Sequence, residues 1–370
     1  MSTPHKTARD ILAEAEDLPR SPEKVTLLEE AVRLADLEQD TDLAYEARRE
    51  LVDAATYGGQ AEKAMTAFAW CLQHHDTHPD QYWSYEILWR YKWILNAARG
   101  FPQIPLARVL ELHADFERRV RAEGAGARVI PYFRMHLAIH LGNHDEARAQ
   151  YTLWQFAGRD FLSDCAACEA NSEIDYHVFQ GHDDKALQKA QPILQGKLSC
   201  AHVPHSTHAK LLEPLVRLGR VDDAMGHHAT GYPMIQGDVD FLPQHGQHLS
   251  FLALTGNLER ARELYERHVD WALRSNELDD RFTFLTHALV WLRQLQQHGV
   301  SRERLALPSH HPLRQPGESD YDVTALLAWH EREAKALADR FDQRNGTTAF
   351  RDRVTRRLAM LDHATPHPIP

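Results

Sequence analysis

Three of the chain's four cysteines lie between positions 165 and 200, and they are the residues best suited to chemistry. Cys165 and Cys168 stand three apart, a spacing that puts two side chains on one face of a helical turn. Cys200 follows, with His202 and His205 close behind it. Three thiolates and one imidazole make a closed tetrahedral shell for zinc, with bonds of about 2.0 to 2.3 Å. The pattern therefore predicts a structural zinc site on Cys165, Cys168, Cys200 and His205, with His202 as the alternative fourth ligand. His205 is preferred because Pro204 suits the first position of a helix, which would seat His205 on that helix. The same cluster admits two other readings, inert or loosely redox-active thiols, or a regulatory disulfide. A helix beginning near Cys165, capped by Ser163 or Asp164, would favour thiolates at its N-terminus. Cys71 reads as a small buried apolar residue.

Other chemistry is sparse. His136 and His140 have the i and i+4 spacing of metal ligands but no HExxH pattern around them. The chain carries no glycine-rich phosphate loop and no Gly-x-Ser-x-Gly elbow, so no catalytic residue is assigned and a non-enzymatic role is expected.

The elements that must position the cysteines follow from an internal repeat. A glycine, four mostly polar positions and an alanine recur at Gly59–Ala64, Gly142–Ala147, Gly181–Ala186, Gly219–Ala224 and Gly256–Ala261. The last four glycines are 39, 38 and 37 residues apart, and Gly100 fits as a degenerate copy in the wider gap before them. Segments between these marks carry apolar residues at helical spacing. Each copy is thus a helical hairpin whose glycine takes the left-handed turn and whose alanine sits where helices cross closely. Asn143 and Asn257 are placed to cap the second helices, Asn143 as a capping box with Glu146. Phe68, Tyr151 and Tyr265 follow their alanines by four residues. Neighbouring hairpins of such an array lie about 8 to 10 Å apart between axes, so Cys165 and Cys168 on one would face Cys200 on the next.

In these Gly, Ala and aromatic positions the chain resembles the tetratricopeptide repeat family over about residues 22 to 275. It departs from the family's pattern in having large residues, Val52, Met135, Ile174, Leu212 and Leu249, where a small one is usual, and in a period longer than about 34 residues. The resemblance implies an all-α fold, a right-handed superhelical solenoid, and a non-enzymatic scaffold that binds a protein or peptide. The residues assigned to that surface are Tyr85, Trp89 and Arg90, on an aromatic helix read over 81–98. The alternative is a thiol- or metal-responsive sensor built on the same cysteine cluster.

Residues 1–298 are read as the array and 299–319, with Pro308, Pro312, Pro316 and Gly317, as a linker loop. Two helices over 320–363 are the expected terminal cap, with Leu326, Leu327, Leu337 and Phe341 facing Phe350, Val354 and Leu358, and 364–370 a disordered tail. Apolar residues at 43% and charged residues at 26% suit a folded, soluble chain, and a net charge of -11 argues against nucleic acid or anionic lipid as partners. No apolar run approaches the roughly twenty residues of a membrane span, and the first twenty residues do not read as a signal peptide, so a cytoplasmic location is expected.

Overall fold

The computed structural model describes residues 6–369, and its regular structure is almost entirely helical. The chain divides into two compact units, one running to Phe133 with Ala157–Leu162 added, the other comprising Arg134–Phe156 and the residues from Ser163 onward. The first holds α1 (Ala8–Glu16), α2 (Pro22–Glu38), α3 (Thr41–Tyr57), α4 (Ala61–Thr77), α5 (Ser84–Arg99) and α6 (Leu106–Ala122). Each packs on the next, and α1, α3 and α5 touch in succession, the layering of a solenoid. Helix α7 (Val129–His140) spans the division.

The second unit continues with α8 (His144–Phe156), α9 (Ala166–Phe179), α10 (Asp183–Leu194), α11 (His205–Lys210), α12 (Leu212–Arg217) and α13 (Val221–Ile235). Then come α14 (Leu242–Leu254), α15 (Leu258–Arg274), α16 (Leu278–Gln297), α17 (Val323–Asn345) and α18 (Ala349–Ala359). The first helices of successive hairpins, α9, α11 with α12, α14 and α16, lie against one another in chain order. α11 and α12 are one hairpin arm broken at Leu211, because Pro214 has no N–H to give the Lys210 carbonyl.

The repeat signature has the predicted physical role. Gly59, Gly142, Gly181, Gly219 and Gly256 all have φ between 68° and 75°, where any other residue would be strained. Ala64, Ala147, Ala186, Ala224 and Ala261 are all fully buried. Gly100 departs from the pattern: with φ −74° it ends α5 in a right-handed conformation and marks no repeat turn. Asn143 accepts the Glu146 N–H at 3.0 Å, but the reciprocal half of the capping box is absent, since the Asn143 N–H goes to the Ala138 carbonyl.

Two expectations about the C-terminal third, the linker loop and the disordered tail, are corrected. The presumed linker is tied down: β1 (Arg302–Arg304) pairs antiparallel with β2 (Asp320–Asp322), and Leu305, Leu307 and Tyr321 enter the core. The two terminal helices face each other, Leu337 and Phe341 meeting Phe350 and Val354 as the spacing predicts. α17 covers α16 through Phe282, Leu285, Leu337 and Phe341, and Phe341 stacks on Phe350 at 4.1 Å. The buried Asp342 carboxylate then caps α18, accepting the N–H groups of Phe350 and Arg351 at 2.9 and 3.1 Å. From there α18 runs back along the hairpin turns: Arg353 donates to the His140 carbonyl at 2.9 Å, and the fully buried Phe350 packs on the His140 ring. A short 3-10 turn, Met360–His363, reaches α12, α14 and α16, while Arg357 pairs with Glu213. The tail read as disordered instead follows an ordered path along the α14–α15 turn.

Candidate metal centre

Cys165 is itself the N-cap of α9, in place of the Ser163 or Asp164 cap expected, and its sulfur accepts the Cys168 N–H at 3.4 Å. That places both thiols on the first turn, as the spacing predicted. Cys200 comes from a tight turn before α11, closed by paired backbone bonds between Cys200 and Val203 at 2.9 and 3.1 Å. The hairpin α9–α10 and this turn bring the three sulfurs within 4.8 Å of one another. Thiolates around a tetrahedral cation with bonds of about 2.3 Å would stand about 3.8 Å apart, a spacing close to that of these three sulfurs. The three cysteines form a group able to hold a metal ion.

The electrostatics of the group are uneven. Partial burial opposes ionisation of Cys165, but the N–H groups of Cys168 and Ala167 and the thiols of Cys168 and Cys200 outweigh it, and its pKa is lowered. Cys168 is raised, by burial first and then by its neighbours Cys165 and Cys200. Of the trio, the helix-capping sulfur of Cys165 is therefore the one that ionises more readily than Cys168. A bound cation would reverse the penalty on Cys168, because coordination deprotonates a thiol outright.

His205 does not join them. The group of ligand atoms consists of the three sulfurs, and the His205 ring lies against Phe241, 6.0 Å between centroids. Phe241 sits on a short 3-10 turn leading into α14, so the ring is held by an apolar neighbour that the sequence order did not reveal. His205 Nδ1 is buried without a hydrogen-bond partner. His202 also packs on Phe241, and its Nε2 lies 2.9 Å from the Asp240 carboxylate. No family model matches this chain, and no curated protein matches it either. The case for the site thus stands on its own geometry.

The second predicted site is divided by the structure. Tyr85 is 41% exposed and lies near Trp89 and the exposed Phe161, with ring centroids 5.6 and 6.1 Å away. Trp89 carries the Lys92 ammonium 3.2 Å from its ring centroid. Arg90 is not available to a ligand. Its guanidinium is turned back onto α3, donating to Asp53 at 3.3 Å and to the Arg49 carbonyl at 3.4 Å. The pairing offsets the cost of the half-buried Asp53 carboxylate, whose pKa burial pushes up.

A feature that the sequence shows only as separate pairs, His227 with His228 and His245 with His248, is the imidazole-rich interior of α11, α13, α14 and α15. His208 and His227 face each other Nδ1 to Nδ1 at 2.8 Å, as do His228 and His248 at 2.9 Å. His245 Nε2 lies 3.1 Å from the Asp238 carbonyl, which can only accept, so that nitrogen carries the proton. Tyr232 accepts from Arg267 at 2.9 Å and so gives its own proton to His268 Nε2, 3.2 Å away. His245 and His268 stack with centroids 3.8 Å apart. Such contacts suit neutral rings, and burial depresses the pKa of His208, His228 and His245 to about 4. The pair His227–His228 and the i, i+3 pair His245–His248 were the signals available, but only folding sets them face to face.

Proposed function

We propose that the chain is a protein- or peptide-binding scaffold of stacked helical hairpins, two of them joined by a structural zinc ion on Cys165, Cys168 and Cys200. The observation that carries the metal reading is the approach of three sulfurs to within 4.8 Å, two on a helix N-terminus and one on a turn more than thirty residues away. Thiolate donors select zinc among the abundant divalent cations. The fourth ligand in this reading is water or an imidazole, His202 or His205, released from Phe241. Zinc would supply folding energy by holding the turn before α11 against α9. The scaffold part is supported by the hairpin layering and by the resemblance in Gly, Ala and aromatic positions to tetratricopeptide repeats, whose surfaces bind peptides. Tyr85 and Trp89 remain its candidate contacts in the first unit.

Metal analysis of protein purified without chelator tests this reading. One zinc per chain is expected, falling below a tenth in Cys165→Ser and in Cys200→Ser. Metal-free protein whose melting is unaffected by added zinc would overturn it. A thiol sensor is the second reading, favoured by the surface position and lowered pKa of Cys165 beside Cys168. Mild oxidant would then remove two thiols per chain and two mass units, a change that bound zinc should block.

A further inference from the structure

The last described residues read Thr365, Pro366, His367, Pro368, Ile369, so every second position is a proline without an N–H. The three N–H groups that remain are all used. Thr365 donates to the Leu254 carbonyl at 2.9 Å, His367 to the Thr255 carbonyl at 2.9 Å, and Ile369 to Asn257 Oδ1 at 2.8 Å. Asn257 completes the clamp from its other end, its Nδ2 donating to the His367 carbonyl at 3.0 Å. Two of the three acceptors are carbonyls at the end of α14, which its own helix cannot satisfy. Asn257 stands at the N-cap of α15 yet makes no side-chain cap bond there; its amide faces the tail instead. Ile369 packs on the main core, His367 lies 3.4 Å from Asp222, and Pro366 comes against Gly256. Pro366 and Pro368 remain exposed.

We propose that this turn is a docking site for an extended peptide with proline at alternate positions, and that residues 365–369 fill it in cis as an exchangeable ligand. Recognition runs through the peptide backbone, two helix-terminal carbonyls and the two-ended Asn257 amide. Side-chain contacts are an aliphatic residue at the Ile369 position and the approach of His367 to Asp222. Proline at every second place keeps the chain extended before it binds, which lowers the ordering cost. The prolines also remove the N–H groups that would face solvent and could draw the segment elsewhere. The fitting partner is a protein segment of the form x-Pro-x-Pro-aliphatic. This rests on the peptide-binding part of the reading above and not on zinc, so metal analysis and the following test fail separately.

The probe is a fluorescent peptide of sequence ATPHPIP, titrated into the full chain by fluorescence polarisation. The native tail competes at an effective concentration in the millimolar range. Unaltered protein should therefore bind the probe at least tenfold more weakly than the variant His367→Pro with Ile369→Pro, which loses two of the three cis donors but keeps the receptor. Adding Asn257→Ala to that variant should cut binding at least tenfold, and a probe with both inner prolines replaced by alanine should bind more weakly. A gain of binding on releasing the tail is an outcome that misfolding would not give. Hydrogen exchange of the unaltered chain supplies a second measure: the amides of Thr365, His367 and Ile369 should be protected at least tenfold over the free peptide. Absence of probe binding by the tail-released variant with native circular dichroism, binding indifferent to Asn257→Ala, or unprotected tail amides would each overturn the proposal.

Discussion

The second unit contains two groups of side chains of the types that can ligate metals, the cysteine trio before α9 and α11 and the imidazole interior of α11 to α15, and they differ in what holds them together. At the trio, sulfurs converge at the surface, where Cys165 and Cys200 are exposed and no packing force requires their approach. In the interior, His245, His248 and His268 are completely buried, as is His287 on the neighbouring α16, and packing accounts for their positions. Two imidazole pairs there, His208 with His227 and His228 with His248, meet nitrogen to nitrogen and need only neutral tautomers, while His245 and His268 stack. Crowding of ligand-type residues is thus a metal signal at one place and a packing solution at the other. The separating feature is exposure: the sulfurs meet at the surface, the imidazoles in the core.

Acid should separate the two regions most strongly. The folded pKa of His245 is lowered to about 4, of His287 to about 3 and of His268 to about 2, with His248 also well below its ordinary 6.5, all because burial disfavours the charged ring. Unfolded, each binds a proton near pH 6.5, so below that pH the unfolded state holds more protons and stability falls with pH. Each ring costs about 1.4 kcal/mol per pH unit in this range, down to its folded pKa. The second unit should lose its near-ultraviolet dichroism cooperatively near pH 5. Retention of that signal at pH 4 would mean that the interior accommodates charge, and the contrast would break.

Removal of one ring comes next. His248→Ala opens a cavity and leaves His228 Nδ1 without its partner, for an expected loss of about 2 to 4 kcal/mol in chemical denaturation. The loss should be the same with and without chelator, whereas chelator dependence would make the interior a metal site. Cys200→Ser sharpens the comparison from the other side. It should cost about 2 to 3 kcal/mol in zinc-replete protein through metal-linked folding. In chelator the same change should cost less than about 0.5 kcal/mol, as expected of an exposed position. Equal losses in both conditions would place Cys200 with the packed residues. The smallest effect belongs to Cys165→Ala in chelator, about 0.5 kcal/mol or less, the loss of a weak sulfur cap on α9.

Much of the molecule was legible in the chain because its cause is local. The glycine turns, the buried alanines and the hairpin arms depend on backbone conformation and helical spacing over a few residues, and all are found where the repeat predicted them, Gly100 excepted. The placing of Cys165 and Cys168 on one helical turn is of the same kind. Tertiary packing decided the rest. It carried Cys200 to that turn and turned His205 onto Phe241, and it drew Arg90 back to Asp53 and the Asn257 amide to the tail. It also folded α18 along the hairpin turns. Each of these depends on which polar atom finds a partner from a distant segment, and sequence spacing carries no information about that choice. Periodicity fixes what one turn of helix presents, while contacts between segments fix where each side chain's last bonding position is satisfied.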